Sequence, residues 1–119
     1  MIFPAPDENT WLGVLRLQLF VHGSRSLKDK RRAVSKVRDR LRAKHNISVA
    51  EVGHLEDHQR AVLTGAMVAN DSRFVQSALD SIAHEVSTWR AAELQHVDVS
   101  VMRPHDDAAP AHYDGWTDG

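Results

Sequence analysis

The distribution of apolar and polar side chains along the chain predicts four β-strands. Residues 11–21 alternate with a period of about two, which is typical of a strand with one buried face and one wetted face. The inward-facing residues of this strand are Leu15, Leu17, Leu19 and Val21. Runs of β-branched and small apolar residues predict three further strands at residues 47–52, 59–69 and 94–102.

Two segments repeat their apolar residues at helical spacing instead. Ser26 is a good N-cap for the first helix, with Asp29 in the third helical position as in a weak capping box, and the helix should end near His45. Its apolar stripe is Leu27, Val34, Val37 and Leu41. Asn70 or Asp71 caps the second helix. The stripe of that helix is Val75, Leu79, Ile82, Val86 and Trp89.

The order of these elements predicts an α+β protein with a ferredoxin-like βαββαβ sandwich. Right-handed crossovers place both helices on one face of a four-stranded antiparallel sheet, with the first and third strands central and the other face open. The predicted core residues are Leu15, Leu17, Leu19, Val34, Val37, Leu41, Leu79, Ile82, Val86, Val97 and Val99. We expect a flexible leader at residues 1–10, one domain at residues 11–103 and a flexible acidic tail at residues 104–119.

Length and composition narrow the class of protein further. A chain of 119 residues fits one domain, and the absence of cysteine excludes disulfides, thiolate ligands and a cysteine nucleophile from this sequence. No apolar run approaches the roughly 20 residues of a membrane span, and the first ten residues lack the features of a signal peptide. We therefore expect a cytoplasmic protein with no membrane partner and no cofactor.

Charge is distributed very unevenly along the chain. Residues 25–44 contain ten basic and two acidic residues, a net charge of +8, whereas the rest of the chain carries −9. Cations at a helix N-terminus oppose the helix dipole, and a bound anion would relieve that conflict. The proposed anion is RNA phosphate, and the residues predicted to bind it are Ser24, Arg25, Ser26, Lys28, Lys30, Arg31, Arg32 and Lys36. A solvated helix face is the alternative interpretation.

Lys30 stands apart from the other cations because, on a helical wheel, it falls between Val34 and Val37, inside the apolar stripe. One explanation is that its stem packs while its ammonium snorkels past the first turn to water. The other is that the ammonium reaches the anion site from beneath the helix.

No motif in the sequence predicts catalysis, so we do not expect an enzyme. There is no P-loop, no nucleophile elbow and no carboxylate pair that can be placed in a pocket, and Glu51 is interpreted as a strand carboxylate facing solvent. His54 and His58 flank a turn and lack the helical spacing of a metal-binding pair. We expect two exposed histidines and no metal site.

The run Ser-Leu-Lys-Asp-Lys-Arg-Arg at residues 26–32, with residues 48–52, 59–63 and 70–71, resembles the YlxP-like family, small bacterial proteins grouped as domain of unknown function 503. The resemblance covers about residues 11–102 and implies a ferredoxin-like fold, with no assigned activity. Genes of this family often lie beside those for translation initiation factor two and ribosome-binding factor A, which implies a role near the ribosome. The chain departs from many relatives in having His58 where they carry Trp.

Two functions of different classes follow. The first is RNA binding or ribosome association through the basic first helix. The second is a protein-interaction module, such as a homodimer through the open sheet face, with the basic helix serving solubility. An RNA-recognition motif is disfavoured because Phe20 is the one aromatic predicted on the outward face of the two central strands. Either face of residues 59–69 could point outward, since both are apolar.

Overall fold

The computed structural model describes residues 8–104, which form four strands and two helices in the predicted order. The elements are β1 (Trp11–Phe20), α1 (Leu27–Lys44), β2 (Ser48–Gly53), β3 (Arg60–Ala69), α2 (Ser72–Ser87) and β4 (Glu93–Met102). The bounds of the strands agree with the sequence prediction to within one residue. Most of the predicted leader and tail lies outside the described residues.

The strands form one sheet in the order β2-β3-β1-β4, and every neighbouring pair is antiparallel. The first and third strands are therefore central, as predicted. Alternate residues of β1, among them Leu15 and Leu17, are buried in one cluster with residues of both helices. Both helices thus cover the same face of the sheet, and the α+β, ferredoxin-like prediction is confirmed.

Most of the predicted core is buried as expected, but Val97 and Val99, the predicted core residues of β4, are buried only in part. Val97 and Val99 pack against the edge of the core cluster and keep some exposure. The reason is their position, because β4 is an edge strand that pairs with β1 alone. The central strand is covered more closely, and a Cβ added at Gly13 would overlap the side chains of Val75 and Leu79 on α2.

Helix α2 is shorter than its apolar stripe predicts. It ends at Ser87 with Thr88 as the C-cap, so Trp89 lies beyond the helix. The backbone N–H of Trp89 still donates to the carbonyl of Val86 at 3.0 Å, and its ring packs against the core. Among the described residues, neither helix has the length and apolarity that crossing a membrane requires.

Candidate functional site

The N-terminus of α1, where the anion site was predicted, is capped by its own residues. Ser26 Oγ accepts the N–H of Asp29 at 3.0 Å, and Asp29 Oδ2 accepts the N–H of Arg25 at 3.2 Å. This is the predicted capping box, except that Arg25 rather than Ser26 is the backbone donor to Asp29. The buried Ser24 donates its hydroxyl to the carbonyl of Ser26. The two hydroxyls predicted to hold an anion are therefore engaged within the loop.

Lys30 lies neither at the surface nor in an anion site, and both explanations offered for it from the sequence are wrong. Its side chain is 0% exposed. Its Nζ donates to Glu51 Oε2 at 3.0 Å, to the carbonyl of His54 at 2.8 Å and to the carbonyl of Arg60 at 3.1 Å. An ammonium has three protons to donate, and all three have acceptors in the fold. Lys30 is therefore a structural residue that cannot also contact a surface ligand.

The acceptors of Lys30 come from the ends of β2 and β3 and the turn between them. Glu51, interpreted from the sequence as facing solvent, has a side chain only 19% exposed. His54 has a positive φ of 56°, which is uncommon outside glycine, and its carbonyl accepts from both Lys30 and the N–H of Asp57. The ammonium thus fastens the β2–β3 turn beneath the first turn of α1.

Asp57 closes the same turn with its carboxylate. Its Oδ1 accepts the N–H of Gln59 at 2.7 Å and the N–H of Arg60 at 2.8 Å. These two backbone donors hold the pKa of Asp57 below its ordinary value, since they stabilise the ionised form. His54 and His58 are both exposed in this turn, and no group of three histidine, aspartate or glutamate side chains among residues 8–104 is arranged to hold a metal.

Five of the seven exposed cations of α1 form a continuous row along the helix. Residues four apart in an α-helix lie on one ridge, and the cations at this spacing define what we call the basic ridge. The basic ridge is Lys28, Arg32, Lys36, Arg40 and Lys44, all of which are exposed. Four steps of four residues at about 1.5 Å per residue make it roughly 24 Å long. Three of the predicted anion-binding residues therefore belong to a longer surface than the sequence prediction covered.

The two acidic residues of α1 do not neutralise this ridge. Asp29 is held by the cap, and Asp39 pairs with the adjacent Arg38 at 3.1 Å. Within the described part of the chain, the side chains of Lys28, Arg32 and Lys36 have no ion-pair partner. The first three of the five ridge cations thus form an uncompensated row of positive charge.

The C-terminal end of the ridge borders an open cleft of about 780 Å³ between α1 and the end of α2. Its charged and aromatic lining residues are Lys36, Arg40, Lys44, Glu85, Trp89 and Arg90. The guanidinium carbon of Arg40 lies 4.3 Å from the centroid of the Trp89 ring. The sequence prediction missed this cleft because it assigned Trp89 to the apolar stripe of α2.

Glu85 is the single carboxylate among the residues that line this cleft. It accepts from Lys44 Nζ and from His45 Nε2, each at 3.3 Å. Burial alone would raise the pKa of Glu85, but the hydrogen bonds from His45 and Lys44 outweigh it and the pKa lies below its ordinary value. Lys44 is therefore partly neutralised, whereas Lys36 and Arg90 have no ion-pair partner among the described residues.

The open face of the sheet carries both charged and apolar side chains. Arg16 Nη1 pairs with Asp98 Oδ2 at 3.0 Å across β1 and β4, on the face of the sheet that the helices leave open. The register places Leu63 of β3 opposite the buried Leu17, so Val62, Ala66 and Val68 take the open face. The register thus decides which face of β3 points outward, a question that the sequence left open. Val68 is 63% exposed and is the most exposed large apolar residue in the described chain.

The chain is similar in shape to several solved structures, two of which are described here. One is a de novo designed protein, Foldit4, which is 11% identical with a TM-score of 0.48, the match covering 79% of this chain and 97% of that one. The other is a C-terminal segment of the alpha subunit of aIF2 from Pyrococcus abyssi, which is 18% identical with a TM-score of 0.42, covering 80% of this chain and 51% of that one. At these scores neither likeness carries a functional argument.

Family membership rests on the sequence itself. No curated protein matches the chain. A family model described as "Protein of unknown function (DUF503)" matches residues 12–99, which include both helices and most of the sheet. The chain therefore belongs to the DUF503 family of proteins of unknown function.

Proposed function

We propose that this protein binds RNA through the basic ridge of α1. The observation that carries the proposal is the spacing of the ridge: five exposed cations follow one another at four-residue intervals, and no acidic residue of the helix is interleaved to pair with them. Such a row contacts a polyanion along its length.

The ridge is unfavourable for the stability of the free protein, which argues against a purely solvated face. Like charges four residues apart in a helix destabilise it by about 0.2–0.5 kcal/mol per pair. Lys28 also sits in the first turn, where the helix dipole disfavours a cation by roughly 0.3–1 kcal/mol. A partner carrying phosphates offsets these costs by placing negative charge against the ridge.

The contacts in the fold support a narrower set of cations for the proposed interface than the sequence does. Lys30 is excluded because its ammonium is saturated by three buried acceptors. Ser24 and Ser26 are engaged in the cap and serve by shaping the loop. Arg25 and Arg31 are exposed near the start of α1 and are included in the proposed interface beside the ridge residues. The proposed interface therefore runs along the helix rather than around its N-terminus.

The proposed partner is ribosomal RNA or another RNA of the translation apparatus. This choice rests on the family resemblance described above. The proposed role is binding without catalysis. Crosslinking in cells followed by sequencing of the attached RNA tests the identity of the partner. Recovery of no RNA above background would contradict the proposal.

The salt dependence of binding is the direct physical test. If all five ridge cations neutralise phosphates of a single strand, the logarithm of the binding constant should fall with the logarithm of salt concentration with a slope of about −3.5. A slope near zero, measured with a short labelled RNA in a chloride series, would contradict phosphate recognition by the ridge.

A homodimer through the open sheet face is the second candidate. Val68 favours it, since a β-branched side chain 63% exposed on the open face, near the end of β3, is suited to burial against a partner. Such a dimer would depend weakly on salt and would be detected as a concentration-dependent change in mass. Arg16 and Asp98 pair on the same face and limit its apolar area.

A further inference from the structure

The cation–π pair between Arg40 and Trp89 has the geometry of a stacking platform. The guanidinium carbon is 4.3 Å from the ring centroid, so the guanidinium lies against the indole. Trp89 is fixed from below because its ring packs against the core cluster. Arg40 is nevertheless exposed, so the outer side of the pair is open to a ligand.

The surroundings of this pair carry the charge that a nucleotide needs. Lys36 and Lys44 are one helical turn away from Arg40 on either side, and Arg90 lines the same cleft. Glu85 is the one carboxylate among the lining residues, and it is occupied by Lys44 and His45. The cleft thus combines a planar, positively charged surface with two cations, Lys36 and Arg90, that no carboxylate of the described chain pairs.

We propose that Arg40, stacked on Trp89, is a platform for one unpaired base of single-stranded RNA, with Lys36 and Arg90 contacting the adjacent phosphates. The inference rests on the proposed function and adds to it the form of RNA that is recognised. Unpaired bases stack on aromatic rings and on arginine guanidinium planes, whereas the bases of a duplex are already stacked on one another. The ridge alone would bind either form.

Arg40→Lys is the variant that separates the platform from the ridge. Lysine keeps the charge at this exposed position but lacks the planar guanidinium. The probes are a short oligouridylate, an RNA duplex of the same length and inorganic polyphosphate of matched charge. Arg103→Lys is the matched control, because Arg103 lies over the ring of Trp11 at 5.4 Å in a pair that does not line the cleft.

We expect Arg40→Lys to weaken oligouridylate binding by about fivefold or more, with the same salt slope as the parent. Affinity for the duplex and for polyphosphate should stay within about twofold of the parent, as should every affinity of Arg103→Lys. Trp89→Phe, which keeps a ring beneath the guanidinium, should weaken oligouridylate binding less than Arg40→Lys does.

Two results would overturn the platform and leave the ridge proposal standing. In one, Arg40→Lys binds oligouridylate as tightly as the parent, or loses affinity equally for all three probes. In the other, the parent binds polyphosphate and duplex but not oligouridylate. A parent protein that binds none of the probes at low salt would overturn both proposals. Melting temperatures of the variants equal to that of the parent establish that the fold is intact.

Discussion

The Nζ atom of Lys30 lies 3.0 Å from Oε2 of Glu51 in a position where the lysine side chain has no solvent exposure. This ion pair joins the first turn of α1 to the end of β2. Breaking one side of a buried pair leaves the other charge uncompensated. We expect Glu51→Gln to lower the free energy of unfolding by about 3 kcal/mol, at the low end for such pairs because Glu51 is partly exposed and two carbonyl acceptors remain.

Urea denaturation at neutral pH measures this effect. Lys28→Arg is the control, since it keeps the charge of an exposed residue in the same helix turn and should change the free energy of unfolding by less than about 0.5 kcal/mol. If Glu51→Gln were as stable as the parent, the burial of the Lys30 ammonium would not require the charge of this carboxylate.

Asp57 makes the stability of the domain fall as the pH is lowered. Its pKa is lowered in the folded protein by the backbone N–H groups of Gln59 and Arg60, so it contributes stability above the ordinary aspartate pKa of about 4. That contribution is lost as the pH falls through the lower, folded pKa. In a series of urea melts from about pH 7 to about pH 3, Asp57→Asn should therefore lose less stability on acidification than the parent does. Identical pH profiles for the two proteins would refute this role.

Leu41 tests which face of α1 is buried against the sheet. It is 1% exposed in the core, so Leu41→Ala should lower the free energy of unfolding by about 2–5 kcal/mol. Leu55, which is 51% exposed, provides the control, and Leu55→Ala should cost less than about 1 kcal/mol. Denaturation curves that give Leu41→Ala a cost below about 1 kcal/mol would show that this face of the helix is not buried.

Lys28 and Arg73 occupy the same position, the second residue, of α1 and α2 respectively. Replacing either with glutamate suits the helix dipole and should raise the free energy of unfolding by about 0.3–1 kcal/mol at low salt. Lys28→Glu should gain more than Arg73→Glu, because it also removes the repulsion from Arg32 one turn away. Thermal melts at two salt concentrations should show both gains shrinking at high salt. If Arg73→Glu gained stability and Lys28→Glu did not, repulsion between the ridge cations would not destabilise the free protein.

The sequence predicts the fold well because the fold is set by local periodicity. Alternation in residues 11–21 and the helical stripe through Val34 and Leu41 each identify an element and its buried face. The extent of burial in β4 could not be predicted in the same way, since it depends on which strand lies at the edge of the sheet.

The candidate site was predicted only in part. The basic residues of α1 are visible in the sequence, but the partners of Lys30 are 21 to 30 residues away along the chain and are brought together by the β2–β3 turn. A charged residue inside an apolar stripe is a signal that a buried partner exists, although it does not identify the partner. The meeting of Arg40 with Trp89 likewise depends on how the ends of the two helices approach each other.

We propose that the unpaired cations of the basic ridge bind RNA, and the RNA affinity of Lys28→Glu/Arg32→Glu at low salt is the measurement that tests this. It is made by fluorescence polarisation beside Arg73→Glu. Arg73 has the same helix position as Lys28 but lies off the ridge, so it controls for charge reversal at a helix N-terminus. We expect the double variant to stay folded and to bind RNA more than about tenfold more weakly, while Arg73→Glu stays within about twofold of the parent. A folded double variant that binds RNA as tightly as the parent would refute RNA binding by the ridge.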